Sequence, residues 1–354
     1  MQFGLSAPKR NADGGYMCSV REGTERMFGR TAGKVLVLAQ GEAFSRIAFA
    51  SRTSRALTVL WEGDALALFS LPEVGCVLAS GGQDVLCAAR FFAAVRRVPC
   101  ALFPTQATLD GVFERRAQVH ILGKAQDVAL AEGELFCDEE LLRASLAEGY
   151  ARLLLSRLAL LEARMTGLIC RRSFGGQAYE RAFALLEPVR GELTAEQVVE
   201  YNLRMRLLER EGAPVGEGRA LARLYCDAPQ PSLWAQRALS ALYYAFLGRG
   251  KPRAFLVPDY RARAASSGAA YEALHVPDAA EYAARALALE RVRGELYAEI
   301  VHLRSAHAAQ LRAVRALGGG QAPAPDLSKL VLLPELVPDG MCAVLRDFGL
   351  LEHL

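Results

Sequence analysis

Histidine is scarce in this chain. There are five in 354 residues, His120, His275, His302, His307 and His353, with none between His120 and His275. A metal centre built from imidazoles within that span is therefore excluded. His302 and His307 lie five apart on one expected helix and diverge too far for a tight ligand pair, and His302 is expected to pack on an apolar face. His275, in "ALHVPD", falls in a loop with no partner near it in sequence. Cysteine is present but never as CxxC: the eight are scattered, most in apolar surroundings such as "GCVLA" around Cys76 and "VPCALF" around Cys100. That usage points to buried reduced thiols and a cytoplasmic protein, and gives no thiolate cluster. No Ser-His-Asp or Cys-His arrangement has a recognisable spacing. Charge of one sign is also lacking, since the net charge is only +3, so no nucleic-acid partner is expected. Long apolar runs are missing too. The leucine-rich stretch Leu153 to Leu161 is broken by Arg157 and flanked by Arg152, Glu162 and Arg164, so no membrane span is expected, and the N-terminus shows no apolar signal-peptide core.

What is present is core material. Apolar residues make up 52% and charged residues 23% of a length that suggests two domains. Up to about residue 136 the apolar runs are short. "KVLVLAQ" (34–40), "ALTVLWEG" (56–63), "GCVLAS" (75–80) and "VPCALFPT" (98–105) read as strands, with helices expected over 41–54, 64–72 and 83–96. Such alternation predicts βαβ units and a parallel sheet covered on both faces. The preceding "YMCSVREGTERMFGRTAG" is expected to add an antiparallel edge strand and a short helix.

From Asp138 onward the pattern turns helical. Leu141, Leu142, Leu146, Tyr150, Leu153, Leu154, Leu158, Leu161, Met165 and Leu168 form one stripe, with Asp138 as N-cap. Further helices are expected at 176–187, 194–211, 231–247, 277–317 and 338–348, with a loop at 318–325. The expected fold class is α/β followed by all-α. An N-terminal Rossmann-like parallel-sheet domain spans 1–137 and a C-terminal helical domain spans 138–354.

Ligands of open α/β sheets sit beyond the carboxyl ends of the strands. Two loops lie there: "ASGGQD" (79–84) and "FPTQATLDG" (103–111). Gly81 and Gly82 before a helix let backbone N–H groups approach a phosphate, although a Gly-Gly turn also serves purely as a turn. Glu62 and Asp64, after the second strand, either accept from an adenosine ribose or belong to a solvated turn.

Taken together, "SGGQDVLCAARFFAAVRRVPCALFPTQATLDGVF" (80–113) resembles the group containing dehydroquinate synthase, glycerol dehydrogenase and iron-dependent alcohol dehydrogenase. It looks most like the sn-glycerol-1-phosphate dehydrogenases. Gly81 and Gly82 match the first two residues of that family's GGG turn, Gln83 replaces the third, and Arg90 stands where its Lys falls. Pro104, Thr105, Ala107, Asp110 and Gly111 match its "PTAASHDG" loop, with Thr108 at the Ser and Leu109 at the His. "GELFCDEELLRASLAEGYARLL" (133–154) and "DFGLLE" (347–352) resemble later passages of the family.

The resemblance implies a dehydroquinate synthase-like fold and an NAD- or NADP-dependent oxidoreductase acting on small polyol phosphates. Gly81, Gly82, Gln83, Thr105 and Thr108 are then the cofactor contacts and Asp110 a substrate-side residue. The family holds a divalent cation with one Asp and two His. The corresponding segments here, "EGYAR" and "AQRALSAL", put Arg152 and Arg237 at ligand positions, so no metal is expected. Those arginines are either ordinary surface or inter-helix residues or an anion pocket for phosphate or carboxylate. Lys251 is a conceivable general acid in place of the cation. The alternative is a non-catalytic relative that binds a nucleotide or phosphoester, or regulates. A helical interaction module on 277–317 is a third reading. The partner expected in either of the first two is a small nucleotide or phosphoester, and a homo-oligomer is compatible with both.

Overall fold

The structure is a computed structural model that describes residues 17–48, 52–189, 192–252, 277–320 and 327–351. By contact the chain forms two compact units. The first comprises 1–149 and 194–210, the second 150–193 and 211–354.

The first unit is built on five parallel strands, β1 (Val35–Ala39), β2 (Ala56–Leu60), β3 (Cys76–Gly81), β4 (Cys100–Pro104) and β7 (Glu134–Leu135), in the order β2-β1-β3-β4-β7. β1, β3 and β4 are buried along their whole length. Continuous runs such as "VLVLA" suit a sheet covered on both faces, so the alternation of an exposed sheet is absent. Because β1 pairs with both β2 and β3, the order of strands reverses between β1 and β3, the kind of point beyond whose carboxyl ends open α/β sheets bind ligands. Helices α1 (Val20–Arg30), α2 (Glu42–Ile47), α3 (Leu66–Phe69) and α4 (Gln83–Arg96) accompany the strands.

Three details differ from expectation. No strand precedes α1 among the described residues: only one bridge, Met17 with Cys137, lies there, and it is parallel. An unexpected antiparallel hairpin, β5 (Arg116–Ile121) with β6 (Lys124–Ala129), forms a separate two-stranded sheet. The change of texture at 138 does not separate the compact units, which divide at Gly149/Tyr150 inside α6 (Leu146–Cys170). The helix expected at 194–211, α8 (Ala195–Arg210), belongs with the sheet.

Asp138 does cap, and twice over. Its Oδ1 accepts from the N–H groups of Glu140 (2.8 Å) and Leu141 (3.2 Å) at the start of α5 (Glu139–Leu142), while Oδ2 accepts from Val20 N–H at the start of α1 (2.7 Å). Asp138→Ala strands first-turn donors of two helices. It should lower stability by about 1–3 kcal/mol, read as a shifted midpoint in urea unfolding.

The second unit contains most of α6, then α7 (Gln177–Leu186), α9 (Gly218–Leu224), α10 (Pro231–Arg249), α11 (Ala279–Ser305), α12 (His307–Ala316), α13 (Leu333–Leu336) and α14 (Met341–Asp347). The single helix expected over 277–317 is broken at Ala306, and residues 321–326 of the expected loop lie outside the described residues. Leu158, Leu239, Tyr243, Leu289, Leu345 and Phe348 are at the heart of its core. No helix among the described residues is long and apolar enough to cross a membrane. Five cysteines are buried, and burial pushes the thiols of Cys87, Cys100 and Cys137 up to about 12, so they act as packed apolar groups. Cys226, by contrast, is exposed.

Candidate functional site

β3 and β4 end level, with Ser80 opposite Phe103 and Gly81 opposite Pro104. That register puts the glycine turn and loop 104–111 side by side, and Thr105 N–H donates to Gly81 O (3.0 Å). Gly82 is the N-cap of α4 and uses no side chain to cap it. A Cβ on Gly81 would fall 2.9 Å from Val85 Cγ2, and one on Gly82 would fall 3.5 Å from the Gln106 amide. The close approach at Gly81 excludes a side chain there, and the Gln106 amide lies beside Gly82 at the head of α4. Gln83 and Asp84 of the first turn are exposed. Ser80 Oγ, at the carboxyl end of β3, is buried without a hydrogen-bond partner among the described residues.

The loop itself is rigidly held. Ala107 N–H donates to Ser145 Oγ (2.8 Å), and that hydroxyl in turn shares its hydrogen between Thr105 O (3.0 Å) and Leu142 O (2.9 Å). Leu109 is fully buried at φ +55°, a conformation that disfavours a branched side chain and persists only where the surroundings impose it. Gly111 has φ +84°, and a Cβ there would fall 3.0 Å from Gln83 O and 3.1 Å from Gln83 Cα, so this glycine lets the loop close against the start of α4.

Two buried arginines impose that shape. Arg90, on α4, donates through Nη1 to Gly111 O (2.7 Å), through Nη2 to Glu114 O (2.6 Å) and through Nε to Ala131 O (2.7 Å). Burial lowers its pKa from the ordinary guanidinium value. Arg206, on α8, donates through Nε to Thr108 O (3.0 Å), through Nη2 to Asp110 Oδ1 (2.7 Å) and through Nη1 to Glu209 Oε2 (2.6 Å). Burial alone would lower the Arg206 pKa, but the Asp110 and Glu209 carboxylates outweigh it and raise the value. Close packing completes the frame. Asn202 Nδ2 donates to Gly149 O (2.9 Å), and a Cβ on Gly149 would fall 2.7 Å from Ala107 Cβ.

Gly81, Gly82, Gln83 and Thr105 therefore lie together, with Thr108 buried behind them and Asp110 turned to Arg206. Arg152 on α6 and Arg237 on α10 belong to the second unit and are both half-buried. Arg237 and Arg304 lie close enough to His307 that, after burial, their charges help push its pKa down to about 4. A neutral His307 ring sits 3.3 Å from Gln236 Nε2. Among the described residues no three His, Cys, Asp or Glu side chains gather as a metal-ligating group. Asp64 is engaged by backbone: Oδ1 accepts from Leu66 N–H (2.8 Å) and Oδ2 from Gly123 N–H (2.9 Å), bonds that lower its pKa, while Glu62 is exposed. Lys251 is exposed, and His275 lies outside the described residues. His302 is exposed, contrary to the packed position expected of it, because it stands at the rim of an open cavity of about 390 Å³ lined also by Leu160, Tyr179, Phe183 and Leu303.

Arg206 was not singled out from the sequence. The available signal was periodicity, since Val199, Asn202, Leu203 and Arg206 fall at i, i+3, i+4 and i+7 and put a charge on the buried stripe of α8. Such a charge needs a partner, and here the partner comes from loop 104–111.

No protein-family model matches the chain, and no curated protein matches it in sequence. Solved structures share its fold. A probable glycerol dehydrogenase from Sinorhizobium meliloti superposes with a TM-score of 0.51 at 14% identity, over 96% of this chain and 96% of that one. Maleylacetate reductase from Agrobacterium tumefaciens gives 0.50 at 16% identity, over 97% and 95%. The fold is shared with these two structures, a parallel-sheet unit followed by a helical one.

Proposed function

We propose that this chain is an NAD(P)-binding oxidoreductase of the sn-glycerol-1-phosphate dehydrogenase-like kind, acting in the cytoplasm on a small polyol phosphate or the corresponding ketone phosphate. One observation supports this reading: a Gly-Gly turn at the head of α4 lies level with loop 104–111 at the carboxyl ends of β3 and β4, and β3 borders the strand-order reversal of the parallel sheet. In this reading Gly81 and Gly82 approach the pyrophosphate through their backbone, and the Gln83 amide lies within reach of it. Thr105 and Thr108 belong to the loop on the nicotinamide side. Asp110 serves as an anchor of that loop through Arg206, not as a free base. The cofactor supplies the hydride acceptor or donor.

A divalent cation does not fit. The positions that correspond to ligands in the resembling family are Arg152 and Arg237, and two guanidinium groups repel a cation while suiting phosphate or carboxylate. That same observation favours a second reading, a non-catalytic relative that keeps the nucleotide or phosphoester site. The deciding experiment titrates the purified protein with NADH and NADPH, measures its metal content, and follows turnover of dihydroxyacetone phosphate with and without added divalent metal. Cofactor binding that is weakened at least tenfold by Gly82→Val supports the site. Binding of neither cofactor removes it. Binding without turnover selects the second reading, whereas turnover with stoichiometric metal refutes both that reading and the misfit of a cation.

A further inference from the structure

Two buried carboxyl groups in the second unit have no part in the site above. Glu162 lies on α6, Glu217 immediately precedes α9, and Tyr243 on α10 stands between them. The Tyr243 hydroxyl is 2.9 Å from Glu162 Oε1 and 3.0 Å from Glu217 Oε2. The remaining oxygens are also committed. Glu162 Oε2 accepts from Glu217 N–H (2.8 Å), and Glu217 Oε1 accepts from Cys342 N–H (2.8 Å) at the start of α14, with the Cys342 thiol bonded to Glu217 as well. Space is tight: a Cβ on Gly216 would fall 2.5 Å from Glu162 Oε2, and one on Gly340 would overlap Glu217 Oε1.

The hydrogens can be counted. Two oxygen–oxygen contacts at Tyr243 need two hydrogens, and the phenol supplies one. With both carboxyls ionised, one contact would set lone pairs against lone pairs at hydrogen-bond distance in a buried site, so one carboxyl carries a proton. The surrounding donors say which. Glu217 receives a backbone N–H and a thiol besides the phenol, whereas Glu162 receives one N–H. Charge therefore rests on Glu217. Glu162 Oε1–H donates to the Tyr243 oxygen, and Tyr243 O–H donates to Glu217 Oε2.

We infer that the native protein retains one proton on Glu162 within the Glu162–Tyr243–Glu217 group, and that its loss in alkaline solution loosens the junction of α6, α9, α10 and α14, making the group a pH-sensitive clasp. Burial pushes the Glu162 carboxyl up to about 8, with the Glu217 charge adding to the effect and the backbone and phenol hydrogen bonds opposing it. Burial also raises Glu217, Tyr243 and Cys342, which are the other titratable groups facing the pair from the elements packed on it. No arginine, lysine or histidine among the described residues is bonded to either carboxyl, and the nearby Glu335 and Arg346 pair with each other at 3.0 Å.

Linkage fixes the sign. The folded value lies above the ordinary carboxyl value of 4.5, so the contribution of Glu162 is complete below that pH and is lost as pH rises through about 8. Glu162→Gln keeps every bond, with an amide N–H where the proton sits and a carbonyl where Glu217 N–H is accepted, and it cannot titrate. Glu217→Gln can keep its bonds only by turning its NH₂ to the Tyr243 oxygen, which reverses the phenol toward an ionised Glu162, the carboxylate with fewer donors. The experiment is equilibrium unfolding of wild type, Glu162→Gln and Glu217→Gln from pH 5 to 9. It is paired with infrared spectra of the carboxylic-acid C=O stretch at pH 7. The folding constant of wild type relative to Glu162→Gln should drop about tenfold per pH unit between pH 5 and 8. Glu217→Gln should be the less stable variant throughout. Wild type should show a protonated-carboxyl band that Glu162→Gln lacks. A pH-independent ratio, or no such band in wild type, overturns the inference. A band that survives Glu162→Gln moves the proton to Glu217 and overturns the assignment. If a variant fails to fold, the wild-type spectrum alone decides.

Discussion

Arg206→Leu should destabilise the first unit by about 3–5 kcal/mol, the range seen when one partner of a buried ion pair is removed. The Arg206 side chain is 4% exposed and its partners Asp110 and Glu209 are 16% and 9% exposed, so solvent cannot replace the lost guanidinium. The same change strips Thr108 O of its donor, and loop 104–111 then has less to hold Leu109 at φ +55°. Urea unfolding gives the loss directly. Acidification should narrow the gap to wild type, because protonating the stranded carboxylates removes the buried charge. Adding Asp110→Asn and Glu209→Gln to Arg206→Leu should recover part of the deficit, since neutral amides are less costly to leave behind than unpaired charges. A single variant within 1 kcal/mol of wild type would mean that Arg206 is not the anchor described above.

Arg90→Met should cost about 2–5 kcal/mol, because the buried Gly111 O loses its donor at about 1–3 kcal/mol and the half-buried Glu114 O and Ala131 O lose theirs at less. Gly111 O and Glu114 O precede β5 and Ala131 O follows β6, so Arg90 ties together the two ends of the β5–β6 hairpin. The variant should therefore be cleaved faster by protease between residues 112 and 133 than elsewhere, as well as unfolding at lower urea. Arg90→Lys should fall between wild type and Met. An ammonium offers three hydrogens at one point but lacks the planar fork that reaches acceptors in three directions. Cleavage unchanged in that segment would count against the clamp.

Much of the sheet was legible in the sequence because local pattern and global role coincide there. "VLVLA" and "CVLASG" are short, β-branched and apolar throughout, as strands buried on both faces must be, and α4 begins where the glycine turn ends. Asp138 announced a helix start, although not that one carboxylate would cap two. The hairpin escaped because its turn, Leu122-Gly123, reaches positive φ at both residues without the usual Asn or Asp, and because β6 is polar and mostly exposed. The candidate site divided in the same way. Gly81, Gly82 and Thr105 are read from a contiguous motif. The clamps on the loop come from Arg90, Ser145 and Arg206, whose importance depends on which carbonyls and carboxylates the fold brings to them. The Glu162–Tyr243–Glu217 group is harder still to foresee: an isolated glutamate on a helix reads as a solvated face until the elements that bury it are placed.

The sheet unit is discontinuous in sequence: α8 belongs to it although residues 150–193 intervene. A ribosome releases the chain from its N-terminus, and domains fold as they emerge. When residue 149 leaves the ribosome, the strands are complete, but Asp110 still lacks its guanidinium and Gly149 O still lacks the Asn202 amide. The loop beside the glycine turn therefore cannot take its final form until residue 206 has been synthesised. Nascent chains halted at residue 149 should accordingly hold a formed sheet with an open loop, and it is the arrival of α8 that closes it.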